Sequence, residues 1–212
     1  MNIITSRRAT ALGFVLLVAV FAAAGWMVIR RNPPSGDFRL TVLPQGSSSP
    51  DFRLTDFNGR PVSLADYRGR VVVIFFGFVR CPDVCPTALF KLAQVMKRLG
   101  PASDRVQVLL ITLDTERDTP ELLKSYVTAF DPRFVGLTGT TEQIDSVAKS
   151  YWVVHVKAPT SNDYYAIDHS TATYVIDAQG QRRLIGTMAT SVDDFVHDLK
   201  LLTGRLKQGA SS

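Results

Sequence analysis

The sequence predicts an α/β fold in which a mixed central sheet is flanked by helices. Residues 71–76 and 106–113 are continuous apolar runs, and runs without alternation are typical of central strands covered on both faces. Apolar residues at three- and four-residue spacing follow each run, which predicts helices between the strands. The chain then closes with a strand pair around residues 178–180 and a last helix. This order of elements indicates a single α/β layer domain.

The N-terminal segment predicts a membrane anchor. Residues 9–29 carry no charge over 21 positions, and arginine pairs flank this stretch on both sides. Such a length spans a hydrocarbon core about 30 Å thick. We therefore expect residues 1–31 to form an uncleaved transmembrane anchor. A cleaved signal peptide is the alternative, because Ala22-Ala23-Ala24 resembles a processing site. The Pro-, Gly- and Ser-containing residues 32–50 predict a flexible stalk.

The distribution of charge argues against nucleic acid as a partner. The net charge is +5, but four of the 24 basic residues are the arginines that flank the apolar segment, and the other 20 face 19 acidic residues. The basicity therefore belongs to the membrane segment and does not form a patch on the domain. The N-terminal segment is not an amphipathic presequence of the kind that directs proteins to organelles. We therefore expect a single-pass protein of the bacterial inner membrane with its soluble domain in the periplasm.

The elements of the predicted domain, residues 51–205, follow in order. Asn58-Gly59 predicts a tight turn and therefore an N-terminal β-hairpin extension. Gly100-Pro101 ends the helix after the first buried strand, and Thr119-Pro120 provides the cap and first turn of the next. The remaining predictions are a helix at 141–149, strands at 153–156, 170–177 and 182–185, a helix at 191–202, and a tail at 206–212.

Both cysteines of the chain lie directly after the first buried strand, at the mouth of a helix, which is the thioredoxin-like arrangement. Cys81 and Cys85 are four positions apart, so on helical geometry they share one face. Asp83 is a candidate N-cap, and the helix N-terminus is expected to favour ionisation of both thiols. Two thiolates so placed can share a metal ion or close a disulfide. A purely structural disulfide would close a very short loop and gain little stability.

A site built on two thiolates needs a third ligand, and the chain has three histidines. His197 is out of phase with the apolar face of the last helix, and His155 fits a strand or surface role. His169 precedes the strand at 170–177, in a loop that faces the cysteine helix in thioredoxin-like folds, so we expect it to be the ligand. Two thiolates and one imidazole suit Cu(I), or Cu(II) with a further ligand, while zinc would want a fourth donor. Asp168 is a candidate for orienting the site.

These motifs resemble the Sco/SenC/PrrC family of membrane-anchored, thioredoxin-like copper proteins over about residues 49–203. The resemblance rests on Gly77-Phe78 with Cys81-Pro82-Asp83-Val84-Cys85-Pro86, on residues 113–120, and on Asp168-His169-Ser170. It implies copper binding by Cys81, Cys85 and His169, and delivery to the dinuclear copper centre of cytochrome c oxidase. The implied partners are the copper-bearing oxidase subunit, another periplasmic copper chaperone or a thioredoxin-like reductant, with Asp114 a candidate for partner docking.

Two other functions use the same cysteines. A thiol-disulfide reductase would keep the cysteines of the oxidase copper site reduced and would not need His169. A peroxidase of the peroxiredoxin type would carry a threonine three residues before its cysteine, where this chain has Phe78. The sequence therefore favours a metallochaperone, keeps the reductase as the alternative, and disfavours the peroxidase.

Overall fold

The computed structural model describes residues 37–44, 46–159 and 165–209 of the chain. The compact unit that holds the sheet begins at Phe38. The predicted anchor and the first part of the predicted stalk lie outside the described residues, so the predicted domain bounds stay a prediction. In the part of the chain that is described, no helix combines the length and the apolar character that crossing a membrane requires.

An eight-stranded mixed sheet forms the centre of the described structure. In chain order its strands are β1 (Thr41–Val42), β2 (Arg53–Asp56), β3 (Pro61–Ser63), β4 (Val71–Gly77), β5 (Val106–Thr112), β6 (Val135–Thr138), β9 (Thr173–Ile176) and β10 (Arg182–Gly186). Their order across the sheet is β1-β10-β9-β4-β5-β6-β2-β3. Strands β4, β5 and β6 are parallel to one another, whereas β9 pairs antiparallel with β4. The predicted mixed α/β sheet is confirmed.

Four α-helices lie in the described chain: α1 (Val84–Leu99), α2 (Pro120–Phe130), α3 (Thr141–Ser150) and α4 (Val192–Gly209). Every residue of β4 and of β5 is buried, as the unbroken apolar runs require. Helix α1 buries one face at three- and four-residue spacing and ends where Gly100 adopts a φ of 57°. Helix α2 starts as predicted, with the Thr119 hydroxyl accepting from the Leu122 amide at 3.3 Å.

The remaining two strands, β7 (His155–Pro159) and β8 (Tyr165–His169), form a separate two-stranded antiparallel sheet. We call this element the β7–β8 hairpin. His155 lies directly opposite His169, and Lys157 lies opposite Ile167. The sequence pattern predicts only a short strand at 153–156 and a loop at His169. His169 is instead the last residue of β8, because cross-strand pairing rather than local pattern defines this hairpin.

The predicted N-terminal hairpin is present, with β2 and β3 paired across the turn at Gly59. The described residues at the end of the predicted stalk are packed against the domain. Strand β1 pairs antiparallel with β10, and Leu40 is buried in the core. The Asp198 carboxylate on α4 also accepts a hydrogen bond from the Leu40 amide at 2.8 Å. The short β1 has too little local pattern to be recognised from sequence, because its partner β10 lies more than 140 residues further along the chain.

Candidate metal centre

The two cysteines sit at the carboxyl end of β4, between that strand and α1. Cys81 lies in the connecting loop, and Cys85 lies in the first turn of α1. Asp83 occupies the N-cap position, but its side chain accepts no capping hydrogen bond. The Cys85 amide instead donates to Cys81 Sγ at 3.4 Å. The Cys81 sulfur thus accepts a hydrogen bond from one of the first amides of the helix, which have no acceptor within the helix itself.

The two thiols differ in their access to solvent. Both are free thiols in this structure, with Cys85 fully buried and Cys81 partly exposed. Burial raises the pKa of Cys85 well above that of a free cysteine, although a backbone hydrogen bond from Phe78 opposes this shift. The pKa of Cys85 is therefore shifted in the direction opposite to the expected easier ionisation, because burial disfavours the charged thiolate.

Gly77 ends β4 directly beneath the sulfur of Cys85. A Cβ at this position would lie 2.9 Å from Cys85 Sγ and 2.9 Å from the Phe75 ring. Real Cβ contacts are not that short, so only glycine leaves room for the sulfur here. The glycine is therefore part of the site.

His169 reaches the cysteines from the end of β8. Its Nε2 lies 3.5 Å from Cys85 Sγ, and its Nδ1 lies 2.9 Å from the Ser170 carbonyl oxygen. A carbonyl oxygen only accepts, so Nδ1 carries the proton and the lone pair of Nε2 points at the sulfur. The rings of Phe75 and Phe78 pack edge-on against the imidazole, with centroids 6.2 and 5.9 Å away. Burial lowers the pKa of His169, which favours the neutral form that can ligate a metal.

The structure brings together the three side chains that sequence analysis selected. Cys81, Cys85 and His169 each direct one potential ligand atom to a common point, and these atoms lie within 4.8 Å of one another. Within the described residues this is the one group of three or more His, Cys, Asp or Glu side chains with such geometry. Two sulfurs and one imidazole nitrogen form a soft donor set that fits copper.

The other two candidates, Asp168 and Asp114, lie differently from what sequence analysis expected. Asp168 is exposed, and strand alternation directs it to the face of β8 opposite His169. Asp114 is fully buried and accepts from Arg117 Nε at 2.5 Å and from the Tyr165 hydroxyl at 2.7 Å. A carboxylate without solvent exposure cannot present a charge to a partner, so in this structure Asp114 ties the loop after β5 to the β7–β8 hairpin.

Asp118 supports the cysteine loop and was not recognised from the sequence. Its carboxylate is 1% exposed and accepts from the Val79 amide at 3.0 Å and the Thr112 hydroxyl at 2.6 Å. It therefore fixes the backbone two residues before Cys81 to the end of β5. Burial raises the pKa of Asp118, while these two hydrogen bonds oppose the shift. No local pattern marks this role, since Asp118 directly precedes a helix cap and reads as a polar loop residue.

The fold and the site together define a thioredoxin-like protein that carries a Cys-Cys-His donor cluster at the carboxyl edge of its sheet. The chain belongs to the SCO1/SenC family, whose model matches residues 42–204.

Individual relatives agree with this assignment. The chain is similar to the mitochondrial SCO2 homologue of Bos taurus, with 41% identity over 175 residues that cover 78% of this chain and 66% of the relative. The corresponding Homo sapiens protein is 44% identical over 179 residues, with the same two coverages. The chain thus spans about two thirds of the length of these curated relatives. The solved structure of Bradyrhizobium japonicum ScoI with copper bound is 37% identical, has a TM-score of 0.68, and covers 73% of this chain and 99% of its own.

These relatives correct the predicted location. Sequence analysis expected a bacterial inner-membrane protein with a periplasmic domain, whereas the cattle and human relatives are mitochondrial proteins. The predicted bacterial inner-membrane location is therefore wrong. An apolar segment flanked by arginines has the length for a bilayer, but it does not specify which membrane that bilayer belongs to.

Proposed function

We propose that this chain binds one copper ion through Cys81, Cys85 and His169 and delivers it during assembly of cytochrome c oxidase. The observation that carries the proposal is the convergence of two sulfurs and one Nε2 lone pair within 4.8 Å. The copper in the Bradyrhizobium japonicum relative supports it. The oxidase and its dinuclear copper centre enter through family membership, which links this donor set to that assembly pathway.

The unequal burial of the cysteines suggests how copper passes onward. Cys85 is fully buried, whereas Cys81 and His169 are both partly exposed. An incoming thiolate of an acceptor protein can approach only where solvent can, so we expect Cys81 or His169 to be displaced before Cys85. Three donors leave the ion under-coordinated, which lets the acceptor bind before a ligand leaves.

Loading must remove protons from the thiols, because the thiolate is the ligand. The raised pKa of Cys85 means that this thiol is protonated in the copper-free protein at neutral pH. We therefore expect copper binding to release protons and its apparent affinity to rise with pH. Cu(I) is the proposed cargo, and Cu(II) is expected to bind with sulfur-to-copper charge-transfer absorption.

A competition titration of the purified chain with Cu(I) and a chromophoric chelator tests the proposal. The parent should bind one copper per chain, and His169→Ala should bind at least about 100-fold more weakly. His197→Ala is the matched control, because His197 lies on α4 and is not one of the three converging side chains. Equal copper affinity in the parent and His169→Ala would refute the proposed site.

The alternative function is reduction of the disulfide in the oxidase copper site. The contact of the Cys85 amide with Cys81 Sγ favours it, because it holds the two cysteines side by side with Cys81 on the partly exposed side. Cys81 would attack one sulfur of the partner disulfide, forming a mixed disulfide and freeing one partner thiol. Cys85 would then attack the Cys81 sulfur, closing the Cys81–Cys85 disulfide and releasing the second partner thiol. Oxidase maturation in cells given excess copper separates the two functions. Rescue of His169→Ala but not of Cys81→Ser would favour the reductase.

A further inference from the structure

The β7–β8 hairpin docks on the rest of the protein through one face only. His155, Lys157, Tyr165, Ile167 and His169 share that face, because directly opposed residues of an antiparallel pair point to the same side. Val156 on β7 and Val154 just before that strand are 58% and 68% exposed and point away from this face. An isolated two-stranded hairpin is marginally stable in water. Contacts of the inward face must therefore keep His169 over the cysteines.

Tyr165, at the other end of β8 from His169, makes the densest set of these contacts. Its hydroxyl donates to Asp114 Oδ1 at 2.7 Å and lies 3.1 Å from Glu116 Oε2. The guanidinium carbon of Arg117 lies 3.6 Å from the ring centroid, and Arg117 Nη1 donates to the Tyr165 carbonyl at 2.9 Å. We call Tyr165 with Asp114, Glu116 and Arg117 the tyrosine clamp.

Lys157 on β7 extends the same attachment. Its Nζ lies 4.8 Å from the Tyr165 ring centroid and forms an ion pair with Glu116 at 2.6 Å. Both strands of the hairpin are thus fastened to residues 114–117, the loop that follows β5. The next residue, Asp118, holds the cysteine loop through the Val79 amide. One loop therefore positions both halves of the metal centre.

The clamp itself is polar, whereas Ile167 on the same face of the hairpin belongs to the hydrophobic core, so opening the hairpin would also withdraw Ile167. A tyrosine hydroxyl has one proton, so it donates to one carboxylate at a time, and the shorter contact is with the buried Asp114. Four residues of strand place Tyr165 about 13 Å from His169. Opening at the clamp would swing the hairpin and move the imidazole relative to Cys85, while the cysteines stay on β4 and α1.

We propose that Tyr165 is a positioning residue, and that the tyrosine clamp holds the β7–β8 hairpin closed so that His169 stays at the two cysteines. In the copper-loaded protein the clamp then sets how fast the histidine releases the ion. This last consequence rests on the proposed copper function, whereas the closing of the hairpin does not.

Amide hydrogen exchange of the copper-free chain tests the closing of the hairpin. Tyr165→Phe removes the hydroxyl and keeps the ring, and Tyr165→Leu also removes the ring stacking. Losing a hydrogen bond to a charged group corresponds to roughly 10- to 100-fold faster exchange. We expect this increase in β7 and β8 only, with exchange in β4 and β5 unchanged. Tyr67→Phe, the same change in the 3-10 turn Leu64–Tyr67, should leave the hairpin at the parent rate.

The rate of Cu(I) transfer to an excess of chelator tests the consequence. We expect transfer from Tyr165→Phe to be roughly tenfold faster than from the parent, and Tyr67→Phe to match the parent. The proposal is overturned if the hairpin amides of both Tyr165 variants exchange at the same rate as in the parent. It is also overturned if exchange becomes faster evenly throughout the central sheet. If the parent binds no copper, the proposed function is wrong, and the hydrogen-exchange result alone then tests the role of the tyrosine clamp.

Discussion

Removal of the Asp118 carboxylate offers a direct test of how the cysteine loop is held. Asp118→Ala leaves the Val79 amide and the Thr112 hydroxyl without their acceptor. Each buried group left unpaired costs about 1–3 kcal/mol, so we expect the free energy of unfolding to fall by about 2–6 kcal/mol. For a chain of this size that corresponds to a decrease of roughly 4–24 °C in Tm.

Asp118→Asn separates the hydrogen bonds from the charge. The amide oxygen can still accept from Val79 and Thr112, so this variant should keep most of the stability that Asp118→Ala loses. Burial raises the pKa of Asp118 above its ordinary 3.8. As pH rises above 3.8, the unfolded chain therefore loses this proton before the native state does. The contribution of Asp118 to stability therefore falls as pH rises through this window, and the asparagine variant lacks that fall.

Urea unfolding of the copper-free parent and both variants, at several pH values between 4 and 7, checks these expectations. The stability of Asp118→Asn relative to the parent should improve as pH rises. The reasoning fails if Asp118→Ala unfolds within about 0.5 kcal/mol of the parent, which is the range of ordinary surface substitutions. It also fails if the asparagine and alanine variants are equally unstable at every pH.

Three further predictions concern the site and the N-terminal edge of the domain. Gly77→Ala should displace the Cys85 sulfur, costing about 1–3 kcal/mol by overpacking and shifting the charge-transfer band of the Cu(II) form. In the copper-free chain at pH 8, Cys81 should be alkylated on the order of tenfold or more faster than Cys85, as peptide mass spectrometry can measure, because burial raises the pKa of Cys85. Asp198→Ala should free the segment around Leu40, which limited proteolysis will detect as new cleavage before β2.

Each of these predictions has a control or a contradicting result. Gly204→Ala adds a Cβ that meets nothing within 4 Å, so it should leave the copper spectrum unchanged. Equal alkylation rates for the two cysteines would contradict the burial argument. Asp193→Ala removes an exposed carboxylate from the same helix as Asp198 and should not create the new cleavage. If both variants are cut alike, the carboxylate of Asp198 does not hold the N-terminal segment.

The elements that sequence predicted well are those whose signal is local. The unbroken runs of β4 and β5, the turn at Gly59 and the Thr119 cap all depend on neighbouring residues, and the structure has each of them. The elements missed depend on distant partners. Strand β1 pairs with β10, and β8 exists only through its pairing with β7. Short strands of this kind lack a hydrophobic period of their own.

The candidate site divides in the same way. Cys81 and Cys85 could be selected because four-residue spacing at a helix start defines their geometry from sequence alone. Selecting His169 needed the thioredoxin-like arrangement, since it lies 84 positions from Cys85. Asp118 and Tyr165 could not be selected, because each acts through hydrogen bonds to residues far along the chain. The pKa of Cys85 was misjudged because sequence indicates the helix dipole and does not indicate the depth of burial.

The pairing of strand β1 with β10 determines where the chain can be truncated without exposing an outer strand. A chain cut at Asp51, where sequence analysis starts the domain, would leave one side of β10 with unpaired amides and carbonyls. Free backbone on an outer strand is a template for pairing with another molecule. Such a truncated protein should self-associate through β10 as its concentration rises, whereas one that starts at Phe38 keeps this side of the sheet covered and should remain dispersed.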